Sequence, residues 1–206
     1  MNALVVCNGK SPGKRLLDKW KKKSDLIIAA DGGALTLLKY GITPNFIIGD
    51  MDSFEPEIPH NYIIIHDPDQ ESNDLEKALT LAKKRGAKNV IITGATGLRT
   101  DHTLKNLSVL QKFRKLFRDI RIEDNHTTFL AIPKKFTLNK LNPGTTLSLF
   151  PISGKVKGIK TEGLLYPLHD EDLENGVRDG SSNEAISDTI SIEYRTGALL
   201  LMISRK

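Results

Sequence analysis

What most constrains this chain is a pairing repeated through its first half: a short continuous apolar run, then an amphipathic stretch. Ala3-Leu4-Val5-Val6, Leu26-Ile27-Ile28-Ala29-Ala30, Phe46-Ile47-Ile48, Tyr62-Ile63-Ile64-Ile65 and Val90-Ile91-Ile92-Thr93 are the runs. Runs of this length without alternation read as strands buried on both faces. Between them lie helix signals. Ser11 and Pro12 suit an N-cap and a first helical position ahead of Leu16, Leu17 and Trp20. A short helix is expected from Ala34 to Tyr40, ended by Gly41. Asn73 with Glu76 has capping-box spacing, and Leu75, Ala78, Leu79 and Ala82 follow at helical intervals up to Gly86. A last helix is expected from Asp101, carrying Leu104, Leu107, Leu110 and Phe117, while Pro56 and Pro59 mark a loop. The pattern predicts an α/β domain over residues 1–126, a parallel sheet with helices on both faces.

From residue 127 the character changes. Thr127–Ile132, Phe136–Leu138, Thr146–Phe150, Ile190–Tyr194 and Leu199–Ile203 read as strands, with Asn142-Pro143-Gly144, Ser153-Gly154 and Thr196-Gly197 as turns. A small antiparallel β-sandwich or barrel is expected over 127–206. The polar segment from His169 to Asp188 reads as a long loop.

In an open parallel sheet, ligands bind beyond the carboxyl ends of the strands. Carboxylates follow successive runs here: Asp31, then Asp50 and Asp52, then Asp69 and Asp74, then Asp101. Asp50 and Asp52 alternate along extended backbone and so point to one side. Each has a bland reading as a solvated turn or a helix start. A converging set in a chain of net charge +5 implies a cation instead, and oxygen ligands facing a phosphate-bearing substrate suit Mg²⁺. Gly32-Gly33 and Gly94 to Gly97 sit at strand-to-helix turns where backbone amides can approach phosphate. They match neither the lysine-bearing phosphate loop nor the dinucleotide fingerprint. Arg99 suits either a bidentate phosphate contact or an open surface.

Other classes are disfavoured. Lys19-Trp20-Lys21-Lys22-Lys23 reads as the wet face of a helix, because no nucleic-acid motif accompanies it. Cys7 is the only cysteine, and His60, His66, His102, His126 and His169 lack metal-ligand spacing. No serine elbow is present. No apolar run could cross a bilayer, and the N-terminus lacks signal-peptide features, so a cytoplasmic location and no membrane partner are expected.

Taken together, Asp31-Gly32-Gly33, Pro44-x-x-Ile47-Ile48-Gly49-Asp50-x-Asp52-Ser53, Pro68-Asp69-Gln70-x-x-x-Asp74 and Gly94-x-x-Gly97-x-Arg99-x-Asp101-His102 resemble the thiamine pyrophosphokinase family. Gly163-Leu164-x-Tyr166-Pro167-Leu168 and Ser181-Ser182-Asn183-Glu184 extend the resemblance over nearly the full chain. The resemblance implies transfer of pyrophosphate from ATP to the hydroxyl of thiamine, giving thiamine diphosphate and AMP. It implies an ATP- and Mg²⁺-binding catalytic domain followed by a thiamine-binding and dimerisation domain, with thiamine at the interface of a homodimer. Carried over by position, Asp50, Asp52, Asp74 and Asp101 would organise Mg²⁺ and the triphosphate, supported by Asp31, Gly32 and Gly33. Gln70 and Asn73 would lie near the substrates, Arg99, His102 and Asn106 on the nucleotide side, and Ser182 and Asn183 against thiamine. Asn73 stands where the family would be expected to carry threonine. Rival expectations are pyrophosphate transfer to a hydroxymethyl pterin, a Mg²⁺-dependent phosphohydrolase, and a non-catalytic nucleotide-binding regulator.

Overall fold

A computed structural model describes residues 1–54 and 61–205. The expected loop at Pro56 and Pro59, and His60, lie outside the described residues. The chain divides into two compact units, Met1–Asn125 and His126–Lys206.

The first unit runs β1 (Asn2–Val6), α1 (Lys14–Lys21), β2 (Leu26–Ala30), α2 (Gly33–Lys39), β3 (Phe46–Gly49), β4 (Ile63–His66), α3 (Asp74–Lys84), β5 (Asn89–Thr93), α4 (Thr100–Phe113) and β6 (Asp119–Glu123). Its strands pair in the order β6-β5-β1-β2-β3-β4, all parallel. The chain steps outward from β1 to β4, then returns to the other side of β1 for β5 and β6. The order therefore reverses between β1 and β5, which opens a crevice at their carboxyl ends.

Alternation along the strands assigns the two faces. Leu4, Val6, Ile27, Ala29, Ile47 and Ile91 pack with Leu16, Leu17 and Trp20 of α1 and Leu37 of α2 in one apolar cluster. The intervening residues Val5, Ile28, Ile48 and Ile92 are buried and alternate to the opposite face, where α3 packs on β1, β2 and β3.

Some local expectations are corrected. The cap of α1 is Gly13, with no side-chain cap. Its N–H donates to Asn125 Oδ1 at 2.8 Å, so a residue distant in the chain, and not Ser11, holds the start of the helix. Leu104 is exposed, and α4 buries Asn106, Val109, Leu110 and Phe113. Strand β6 was not expected, because its charged residues masked a period-two pattern. Ile120 and Ile122 are buried, and Glu123 is held by Trp20 Nε1 at 2.8 Å and Arg121 at 3.2 Å.

The second unit is a sandwich of two antiparallel sheets. Its strands are β7 (Thr127–Ile132), β8 (Lys135–Asn139), β9 (Thr146–Phe150), β10 (Lys155–Glu162), β11 (His169–Glu174), β12 (Gly180–Glu184), β13 (Thr189–Glu193) and β14 (Leu199–Ser204). One sheet pairs β12-β9-β14-β7 and the other β11-β10-β13-β8. Ile132, Leu147, Leu149 and Leu201 from the first pack against Val156, Ile159, Leu173, Ile190 and Ile192 from the second.

The segment from His169 to Asp188, expected as a loop, contains β11 and β12. Its acidic character hid the strands. Those acids are balanced: Glu171 pairs with Arg178, Asp172 and Glu174 with Lys155, and Asp170 with Arg195.

Gly33 shows how closely the first unit is packed beneath its crevice. A Cβ there would lie 2.0 Å from the Val6 carbonyl oxygen. Gly33→Ala is expected to lower unfolding free energy by about 1–3 kcal/mol or more, since backbone must move to admit the methyl group. Urea denaturation of the variant beside the parent measures it.

Candidate active site

The acidic cluster grows directly out of the sheet. Asp31 follows β2, Asp50 follows β3, and Asp74 opens α3 after β4. One carboxylate oxygen from each lies within 4.8 Å of the others. Local backbone is bent to achieve this: Asp31 and Met51 both have positive φ, at 42° and 60°, a conformation disfavoured for residues with a Cβ. Gly49 is part of the same device. A Cβ at Gly49 would sit 2.7 Å from Asp31 Cβ and 3.0 Å from Asp74 Oδ1, so only glycine lets these two side chains close over the strand end.

Around the cluster lies a cleft of about 670 Å³. Asn8 and Gly9 beyond β1 and Ala95 and Gly97 beyond β5 form one wall, as the reversal of strand order requires. These turns are in contact: Gly9 N–H donates to the Gly94 carbonyl at 2.6 Å. Gln70, Asn73, Arg99, His102 and Asn106 all line the cleft.

Hydrogen bonds fix most of these groups. Asp31 Oδ2 accepts from Ser53 N–H at 3.1 Å, whereas its Oδ1 is buried with no hydrogen-bond partner. Gln70 Nε2 donates to Asp50 Oδ2 at 3.2 Å. Asn73 caps α3 by accepting from Glu76 N–H at 3.0 Å, and donates to Asn106 Oδ1 at 2.9 Å. Asn106 in turn donates to the Ala95 carbonyl at 2.8 Å. The Asn73–Asn106 bridge thus ties the start of α3 to the turn beyond β5. Both residues act on the cleft by holding its walls.

Other expected residues sit differently. Asp52 is exposed and accepts from Ser53 Oγ at 2.8 Å, outside the three-carboxylate cluster. Asp101 is also outside it. Both of its oxygens are engaged by Arg99, at 3.1 Å and 2.5 Å, on the exposed start of α4. Gly32 and Gly33 serve packing: a Cβ on Gly32 would meet the Asn8 side chain at 2.3 Å. In the second unit, Ser182 has φ of 57° and donates its N–H to Ser148 Oγ. Asn183 is buried. Its amide accepts from Tyr166 N–H at 3.1 Å and donates to the Tyr166 carbonyl at 2.7 Å, which clamps that exposed tyrosine's backbone.

Lys77 was missed by sequence reasoning. It is buried on α3, one turn after Asp74. Its ammonium donates to the Asp67 carbonyl at 2.6 Å and lies 3.7 Å from Asp74 Oδ1. The i,i+3 spacing from Asp74 was the available signal.

The electrostatics separate the acids. Burial pushes the Asp74 carboxyl up to about 6; Lys77 opposes the shift, while Asp31, Asp50 and Asp52 add to it. Burial also raises Asp31. Asp50, hydrogen-bonded by Gln70, is lowered, and Arg99 holds Asp101 down at about 2. Crowded carboxylates with an orphaned buried oxygen form a site that a hard divalent cation would complete.

The family model described as "Thiamin pyrophosphokinase, catalytic domain" matches residues 17–123. A second, "Thiamin pyrophosphokinase, vitamin B1 binding domain", matches residues 132–199. The chain belongs to the thiamin pyrophosphokinase family. Thiamine pyrophosphokinase from Bacillus subtilis is 28% identical over 187 residues, covering 87% of each chain. Thiamin pyrophosphokinase 1 of Caenorhabditis elegans is 27% identical over 184 residues, covering 83% of this chain and 76% of that one. The crystal structure of the Geobacillus thermodenitrificans thiamin pyrophosphokinase superposes with a TM-score of 0.85 at 25% identity, covering 100% of this chain and 98% of that one.

The raised Asp74 carboxyl makes a pH prediction for metal-free protein. Its folded value is about 6 against an ordinary 3.8. The stability it contributes is complete below about 3.8 and is lost as pH rises through about 6. Asp74→Asn should therefore raise Tm at pH 7 in EDTA, and the gain should shrink toward pH 4. Thermal unfolding followed by circular dichroism across that range tests it.

Proposed function

We propose that this protein transfers the pyrophosphoryl group of ATP to the hydroxyl of thiamine, giving thiamine diphosphate and AMP. The observation that carries the reading is the Asp31–Asp50–Asp74 cluster at the carboxyl ends of β2 and β3 and the start of α3, in a chain matched by both domains of the family.

Asp31, Asp50 and Asp74 would hold Mg²⁺, which when bound neutralises charge on the phosphates. The thiamine hydroxyl oxygen attacks the β-phosphorus, the bond from that phosphorus to the α,β-bridging oxygen breaks, and AMP departs. Such transfers depend chiefly on positioning and fixed electrostatics. Gln70 orients Asp50. Arg99, Lys105 and His102 line the opposite side of the cleft, where Arg99 and Lys105 offer positive charge to the triphosphate. Asp52 at the cleft mouth suits a water-mediated contact with the cation. Asp101, held near 2 by Arg99, is a poor proton acceptor, and its part is to aim the guanidinium. The hydroxyl proton would pass to a carboxylate oxygen of the cluster that the cation does not take up.

The second unit would supply the thiamine-binding surface through Ser182, Asn183 and the Tyr166 segment that Asn183 grips. We propose a homodimer in which each thiamine contacts both subunits. Among the described residues no helix is long and apolar enough to cross a membrane, and a cytoplasmic location fits substrates of this kind.

AMP release from ATP, measured with and without thiamine, tests the reading. AMP should form only when thiamine and Mg²⁺ are both present. Inorganic phosphate released without an acceptor, or transfer to a pterin in place of thiamine, would overturn it. Asp50→Asn should lower turnover on the order of 100-fold or more, with the circular dichroism spectrum unchanged.

A further inference from the structure

Lys77 presents an energetic problem that the fold must answer. Only 5% of the residue is exposed, and removing an ammonium from water costs several kcal/mol unless it is compensated. One neutral acceptor, the Asp67 carbonyl at 2.6 Å, is a partial answer. The carboxylate of Asp74, 3.7 Å away, and those of Asp31 and Asp50 gathered with it supply the rest.

The problem also runs in the other direction. Three carboxylates with oxygens within 4.8 Å of one another repel strongly in a half-buried site. Among the described residues no other cation forms an ion pair with the cluster. Lys105 lines the same cleft but its ammonium pairs with Glu76 at 3.0 Å. Arg99 pairs with Asp101, outside the cluster, on an exposed surface. Lys112 is on Glu76. Lys77 lines the cleft as well, yet only 3% of its side chain is exposed, so its charge stands beside Asp74 largely out of water.

We propose that Lys77 is the internal counter-charge of this site, a positioning residue that holds the cluster together without metal and sets its net charge to match a single divalent cation. With all three acids ionised the cluster carries about three negative charges, and Lys77 brings it to about two. One Mg²⁺ then makes the centre neutral, and the negative charge of the triphosphate is left for Arg99 and Lys105 to meet. Without Lys77 the cluster holds its cation harder and comes apart more readily when the cation is absent. The inference rests on the metal reading given under the proposed function, but half of its test does not need metal.

The test uses the full chain with Lys77→Met, which keeps an unbranched side chain one atom shorter and removes its charge. The first measurement is metal-free stability, as Tm at pH 8 in EDTA. Lys77→Met should be less stable than the parent, and adding Asp74→Asn to it should restore part of the lost Tm by removing the unbalanced acid. Because Asp74→Asn alone is expected to raise Tm, the gain must be larger in the Lys77→Met background than in the parent; a merely structural lysine predicts equal gains in both, and equal gains overturn the proposal. If Lys77→Met alone fails to fold, soluble folded Lys77→Met/Asp74→Asn is the supporting result, and failure of both overturns it. The second measurement is calorimetric titration with Mn²⁺ as probe at pH 8, with no nucleotide. Lys77→Met should bind Mn²⁺ at least about fivefold more tightly, the effect of one unit charge felt through a partly solvated site. Unchanged or weaker binding overturns the proposal. If the parent itself takes up no Mn²⁺, the metal reading fails, and the metal-free rescue still decides the role of Lys77.

Discussion

Everything in the first unit turns on keeping three carboxylates together at one sheet edge. Like charges in partial burial oppose that arrangement, and Asp74, raised to about 6, registers the cost. The fold meets it with rigid parts rather than with solvent. The ends of β2 and β3 and the start of α3 are each fixed by parallel pairing or by a capping box. Positive φ at Asp31 and Met51 turns the chain so that the acids converge. Such strain persists only where surrounding structure over-determines it.

That constraint explains residues that otherwise look unrelated. Gly49 is glycine because Asp31 and Asp74 occupy the space a Cβ would need. Gln70 is spent on Asp50, Ser53 on Asp31, and Lys77 on Asp74 and the chain beside it. The Asn73–Asn106 bridge joins the acidic side of the cleft to the glycine turn. An asparagine where threonine was expected is therefore compatible with the helix cap, and its amide supplies the bridge as well.

The second unit follows different physics. Its strands carry charge on their outer faces, and those charges are answered by partners across the sheet or the turn. A sandwich needs only alternate positions to be apolar, which is why Leu173 alone anchors β11 in the core. Reading for apolar runs finds the first unit's strands readily and passes over β6, β10, β11 and β12, where apolar residues alternate with charge or are few.

By itself the sequence determined the class of the first half, because a strand buried on both faces must be apolar throughout. It determined the cap of α3, which is settled within four residues, and it placed acids after successive strands, since ligands of such sheets gather there. Only the tertiary structure decided which acids meet. Asp31 joins the cluster as a full member, while Asp52 stays at its margin and Asp101 turns to Arg99. It alone buried Lys77 beside Asp74 and brought Asn125 to Gly13, the cap of α1. Convergence of side chains depends on backbone torsions and on contacts distant in the chain, and spacing along a strand or helix carries neither.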